Sequence, residues 1–89
     1  MSDQLYVDAV EAAHARIQMF GLESFVTNVS GLGAVKAKQL VRLISKMAVG
    51  SREFVGSWEY KGGVFEAFLV ITEDGPVISL RSPMVWEPA

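Results

Sequence analysis

The sequence predicts an α+β fold in which three N-terminal helices pack on one face of a C-terminal three-stranded antiparallel β-meander. Apolar residues recur at helical spacing up to about residue 49, and from Glu53 onward they alternate with a period of two. A Gly-Gly pair and a Glu-Asp-Gly-Pro run then divide the second half into three strands. We expect residues 1–89 to form a single domain.

Three helical segments are predicted, at residues 3–20, 22–29 and 34–49. Gly21 ends the first helix and Gly50 ends the third, because glycine favours the position just past a helix C-terminus. The predicted buried positions are Tyr6, Val10, Ala13, Ile17 and Phe20 in the first helix and Ala37, Leu40, Val41, Ile44 and Ala48 in the third.

Three strands are predicted at residues 53–61, 64–72 and 77–82. A two-residue turn at Gly62-Gly63 joins the first two strands, and residues 73–76 form the second turn. In this register the large apolar residues fall on one face of the sheet, which we expect to lie against the helices. The predicted pairs are Tyr60–Phe65, Trp58–Ala67, Gly56–Leu69, Phe54–Ile71, Ile71–Ile78 and Leu69–Leu80.

The opposite face of the predicted sheet is too apolar for an ordinary solvated surface, with Phe68 at its middle. Either the third helix or the tail covers part of it, or it binds a protein or a second copy of the chain. The two free edges of the sheet are further pairing sites. The residues predicted for a protein interface are Val55, Glu59, Glu66, Phe68, Val70, Arg81 and, in the tail, Trp86.

The chain carries little of the chemistry that catalysis needs. It has no cysteine, and its one histidine, His14, has no evident ligand or base partner. Glu59 and Glu66 face each other in the predicted ladder, but no substrate cleft is evident beside them. We therefore predict a non-enzymatic protein with no metal, no cofactor and no small-molecule substrate.

No apolar run approaches the ~20 residues of a transmembrane helix. The N-terminal residues also lack the basic segment of a signal peptide. Together with the absence of cysteine, these features predict a cytoplasmic protein without membrane contact.

The charges are unevenly distributed along the chain. Between Ser30 and Arg52 there are five basic residues and no acidic one, whereas the remainder holds three basic and ten acidic residues, a balance of −7. Such asymmetry indicates a charged partner. Either the basic helix approaches phosphates or the acidic remainder approaches a basic protein.

The most informative stretch is the junction between the second and third helices. Gly31 and Gly33 flank Leu32, and Ala37 follows four positions after the second glycine. Leu32 is expected to point inward, and a residue bulkier than Ala37 would push the two helices apart. Glycine reaches positive φ without steric cost, so the pattern predicts a tight turn between helices.

This pattern resembles the helix-hairpin-helix family, over about 20 of the 89 residues. Ser30 replaces the usual proline, and Val35 stands where the family often has a basic residue. The resemblance implies sequence-independent binding of the DNA backbone, with amides of the turn and of the second helix meeting a phosphate. The residues so implied are Gly31, Leu32, Gly33, Lys36, Lys38, Arg42 and Lys46.

Two functions follow from these patterns, and the sequence leaves both open. The first is a module that binds the backbone of duplex DNA. The second is a small protein-binding module, because compact acidic chains without cysteine are typical of accessory factors and of phage- or plasmid-borne inhibitors of host machinery. The same apolar sheet face is also compatible with a homodimer.

Overall fold

The computed structural model describes residues 3–82 and confirms the α+β fold. The helices are α1 (Asp3–Phe20), α2 (Leu22–Ser30) and α3 (Ala34–Ser45). The strands are β1 (Arg52–Tyr60), β2 (Gly63–Thr72) and β3 (Gly75–Arg81). They form one antiparallel sheet in the order β1-β2-β3.

The core lies between the three helices and one face of the sheet, here called the covered face. Ala9 and Ala13 of α1 are buried, whereas Phe20 is 63% exposed, so the predicted burial of Phe20 is wrong. Phe20 occupies the last position of α1, beyond the part of the helix that packs on the sheet. The remaining buried residues are Phe25, Val26, Val29, Ala37, Val41, Ile44, Val55, Trp58, Phe65, Ala67, Leu69, Ile71, Ile78 and Leu80.

Helix α2 lies directly against β1. The ring of Phe25 meets that of Trp58 edge-on, with 5.3 Å between their centroids. A Cβ atom at Gly56 would overlap the carbonyl group of Val29 in the last turn of α2. Glycine at position 56 therefore permits the backbones of a helix and a strand to touch.

Helix α1 is tied to the edge strand β3. The Tyr6 hydroxyl donates a hydrogen bond of 2.7 Å to the backbone carbonyl of Leu80. The Tyr6 ring also contacts Phe65 on β2, at 6.1 Å between centroids. These contacts hold the N-terminal half of α1 across two strands of the sheet.

Helix α3 ends four residues earlier than predicted, at Ser45 instead of residue 49. The amides of Lys46 and Met47 donate to carbonyls only three residues back, which tightens the last turn and stops the helix. Ala48 is consequently exposed outside α3, and the Gly50 amide pairs with the carbonyl of Ile71 instead of ending the helix.

Both β-turns differ from their predicted positions. Lys61 and Gly62, both with positive φ, form the first turn and leave Tyr60 paired with Gly63. In the second, Thr72 pairs with Gly75, so only residues 73–74 form the loop. Outside the bulge described next, each predicted pair therefore shifts by two residues, as in Trp58–Phe65 and Leu69–Ile78. A shift of two leaves each side chain on its predicted face.

A β-bulge at Val55 is the point in the sheet where side chains lie on the face opposite to the predicted one. The β1–β2 register slips between Phe54 and Gly56, so that Phe54 lies beside Phe68 on the uncovered face and Val55 turns into the core. The prediction placed these two residues the other way round, because strict alternation has no provision for an extra residue.

The predicted tail element at Trp86 lies outside the described residues. Among the helices that the structure describes, none is both long enough and apolar enough to cross a membrane.

Candidate nucleic-acid interface

The junction between α2 and α3, here called the glycine corner (residues 31–33), is an exposed αα-turn. Gly31 adopts the left-handed conformation (φ 76°, ψ 3°) that ends α2, and its amide donates to the Thr27 carbonyl. Leu32 is half-buried and packs against the core, as expected. Gly31 and Gly33 are exposed, and apart from the adjoining residues no atom of the described chain lies within 4 Å of a Cβ built on either. The sheet therefore leaves the corner uncovered.

Ala37 holds the two helices of the hairpin close together. It is completely buried one turn into α3, and its amide donates to the Gly33 carbonyl at 2.9 Å. This bond starts the α3 ladder directly at the corner. The expected role of a small side chain at this position agrees with its burial.

Four consecutive backbone amides at the start of α3 have no hydrogen-bond acceptor within residues 3–82. They belong to Gly33, Ala34, Val35 and Lys36, and no side chain caps the helix. Unpaired amides and the helix dipole make such an end attractive to anions. No acidic residue lies in the first turn to satisfy it internally. These four amides can together donate several hydrogen bonds to the oxygens of one anionic group.

The four predicted cations lie along α3, and they differ in their distance from the free amides. Lys36 and Lys38 lie in the first two turns of α3, on either flank of the buried Ala37. Arg42 lies one turn beyond Lys38 on the same flank, whereas Lys46 caps the far end, about 15 Å along the helix axis from Lys36. All four are exposed, and none forms an ion pair in the described part of the chain. Lys36 and Lys38 therefore accompany the free amides, and Lys46 does not.

Ser30, at the end of α2, has a defined role within the turn. The Ser30 hydroxyl accepts a hydrogen bond of 3.1 Å from the Leu32 amide, which a proline could not do. This bond, with that of Gly31, satisfies two of the turn amides internally. An anion can therefore use only the amides from residue 33 onward.

Sequence reasoning missed an apolar groove beside the corner. It has a volume of about 700 Å³ and runs between the end of α1, α2 and α3. Phe20 and Val35 line it and are mostly exposed, with Lys38 at its rim. The position of Phe20 at the very end of the predicted first helix, directly before Gly21, is the sequence signal that could have indicated it.

The second predicted surface is the uncovered side of the sheet, here called the open face. Its centre is the ring pair Phe54–Phe68, with 5.6 Å between centroids. The guanidinium carbons of Arg52 and Arg81 lie 4.6 Å and 5.1 Å from the centroid of Phe68. The open face comprises Arg52, Phe54, Ser57, Glu59, Val64, Glu66, Phe68, Val70, Val77, Ser79 and Arg81.

The predicted protein-interface residues are only partly assembled on this face. Glu59, Glu66, Phe68, Val70 and Arg81 lie on it, but Val55 is buried on the other side because of the bulge. The expected opposition of the two glutamates is wrong, since the register shift pairs Glu59 with Val64.

Glu66 instead receives two hydrogen bonds from the Arg81 guanidinium, at 3.0 Å and 2.6 Å. The pair is solvent-exposed, so its contribution to stability is small. Its effect is to leave a flat, charge-neutral group beside Phe68. Sequence reasoning missed Arg52 and Phe54 here, because only the bulge brings them to this face.

Comparison with known protein families, with curated proteins and with solved structures gave no match for this chain.

Proposed function

We propose that this chain is a non-enzymatic binding module that grips the phosphate backbone of duplex DNA through its glycine corner, without sequence preference. The observation that carries the proposal is the run of four acceptor-free amides, Gly33 to Lys36, at an exposed and uncapped helix end. Lys36 and Lys38 add positive charge next to these amides.

The chemistry of this end suits a phosphodiester. Its oxygens accept N–H donors, and its negative charge is stabilised by the positive end of the α3 dipole. Backbone amides and lysine side chains reach phosphates without reading base edges, so no sequence preference is expected. With Lys36, Lys38 and Arg42 each neutralising one phosphate, log K should fall with log[salt] with a slope of about −2.7.

Duplex binding tests the cationic part of the proposal. We expect Lys36→Glu/Lys38→Glu to lower the affinity for a labelled duplex at least tenfold at low salt, as measured by fluorescence anisotropy. The matched control, Arg16→Glu/Lys61→Glu, makes the same change in net charge on exposed residues away from the corner. Equal losses in the two variants, or no binding by the wild type at low salt, would reject the proposal.

A proline substitution tests the amides without changing the charge. Ala34 is the first residue of α3, where proline is well tolerated, and Gly33 has the extended conformation (φ −68°, ψ 164°) that precedes prolines. We expect Ala34→Pro to keep the helix and to weaken duplex binding about five- to tenfold, because one charge-assisted hydrogen bond is lost. An unchanged affinity, with unchanged circular dichroism, would show that the amides are not used.

A second candidate function is protein binding through the open face, as an adaptor or as an inhibitor of host machinery. It is favoured by the Phe54–Phe68 pair, in which Phe54 is 55% exposed and the guanidinium groups of Arg52 and Arg81 lie over the Phe68 ring. Such binding would persist between about 50 and 200 mM salt, whereas phosphate binding would weaken steeply. Either function places the chain in the cytoplasm in our proposal, since a reducing compartment suits a protein without cysteine.

A further inference from the structure

We propose that the open face is the contact surface between two copies of this chain, packed sheet against sheet. This inference is independent of DNA binding, because the glycine corner belongs to the helical layer on the other side of the sheet. The position of the apolar centre and the charges of the face favour a second copy as its occupant, and the area of the face sets the strength of the contact.

The apolar centre exists because β1 changes face at the bulge. Phe54 is 55% exposed although one regular residue step would have directed it into the core. A phenylalanine left half in water forgoes a large part of its favourable burial, which a second copy covering the ring would restore. The exposed Phe54 lies against Phe68 in the middle strand, so the two rings form one continuous apolar patch.

The charges on the open face are self-complementary. It carries two arginines and two glutamates, so its net charge is zero. Arg81 and Glu66 neutralise each other within one chain. Arg52, whose guanidinium lies over the Phe68 ring, and Glu59 lie near opposite ends of β1 and form no ion pair within residues 3–82. A nucleic acid would find no net positive charge here. A second copy finds the opposite charge at each end.

A two-fold axis lying in the plane of the interface and perpendicular to the strands uses all of these features. It places Arg52 of one copy over Glu59 of the other, twice per dimer. It also places the Phe54–Phe68 rings of each copy over Ser57 and the flat Arg81–Glu66 pair of the other copy, so that both ring pairs are covered.

The area of the face sets the expected strength. Three strands about 4.8 Å apart and about 23 Å of strand length give a footprint of roughly 320 Å² per copy, or roughly 650 Å² for the pair. Stable complexes bury about 1,200–2,000 Å² of accessible surface in total. We therefore expect a weak, reversible dimer that forms at tens to hundreds of micromolar.

Sedimentation velocity over about 5–500 µM tests the surface, with complementary charge reversals as the decisive arm. Arg52→Glu alone and Glu59→Arg alone each create two like-charge contacts, so each dimer should be about five- to twentyfold weaker. In an equimolar mixture, the carboxylate introduced in the first variant faces the guanidinium introduced in the second. The other contact of that mixed dimer keeps the native Arg52 and Glu59. The mixture should therefore associate as strongly as the wild type.

Three further variants keep the test specific. A mixture of Arg42→Glu and Glu11→Arg, which reverses exposed charges on α3 and α1, should associate no more strongly than either variant alone. Phe54→Ser should abolish the dimer while leaving the circular dichroism unchanged. The proposal fails if the wild type stays monomeric at 500 µM, which would leave the face to another protein, or if the complementary mixture is as weak as its components.

Discussion

The two faces of the sheet are built from the same three strands, but their apolar side chains differ in burial. On the covered face, Phe65, Ala67 and Leu69 are almost completely buried under the helices. On the open face, Phe54 and Val77 are about half exposed, and no described residue covers them. Apolar content alone therefore does not reveal which side of a strand is the core. What distinguishes the covered face is the fit of its side chains to the helices, and this is measurable as a difference in free energy of unfolding.

The largest expected difference comes from truncating one phenylalanine on each face. Phe65→Ala should lower the free energy of unfolding by about 3–5 kcal/mol, because it leaves a cavity beneath α1. Phe54→Ala should cost about 1 kcal/mol, mainly the edge-on contact with Phe68. Urea denaturation at a few micromolar protein measures both. Equal losses would indicate that something covers the open face at that concentration.

A smaller loss is expected where β1 touches α2. Gly56→Ala should cost about 1–3 kcal/mol, since the added methyl group must separate the strand from the Val29 carbonyl. Gly33→Ala is the matched control: alanine is a poorer N-cap than glycine, but the φ of −68° is ordinary, the space is open and the unfolded chain loses entropy, so the opposing effects should change stability by less than about 1 kcal/mol. If Gly56→Ala were equally harmless, the close packing of α2 on β1 would be wrong.

The smallest effect is expected at the boundary between the faces, on the edge strand. Tyr6→Phe removes only the hydroxyl that donates to Leu80, so it should cost about 1 kcal/mol and leave the ring contact with Phe65 in place. Thermal unfolding followed by circular dichroism measures it. A loss as large as that of Phe65→Ala would instead place Tyr6 in the core of the covered face.

Much of this architecture could be predicted from the sequence, because hydrophobic periodicity reports which face of an element is buried. The register of both hairpins was predicted with a two-residue error. The inward orientation of Trp58, Leu69 and Leu80 was nevertheless correct, because an even shift leaves each side chain on the same face of its strand. The bulge at Val55 was not predicted, although Gly56 beside it is a local signal, since an isolated glycine within a strand pattern often marks a bulge or a close backbone approach. The close contact of Gly56 with the Val29 carbonyl is a tertiary feature that strand periodicity does not record.

The candidate site was predictable to a similar extent. The corner glycines, Leu32 and Ala37 follow from residue size and backbone freedom alone. The use of the Ser30 hydroxyl within the turn was not predicted, because serine can bond to several neighbouring amides and only the geometry of the turn selects one. Because the Ser30 hydroxyl accepts from the Leu32 amide, the amides without an acceptor begin at residue 33.

The bond between Tyr6 and Leu80 spans 74 positions of the chain, and this has a consequence for biosynthesis. The helices leave the ribosome well before β3 has been translated, so α1 cannot complete its packing on the sheet until about residue 80 is free of the exit tunnel. Until then the apolar side of the helices remains accessible to chaperones and proteases. Slowing translation through the strand region should therefore lengthen the time during which the nascent chain is vulnerable to cleavage.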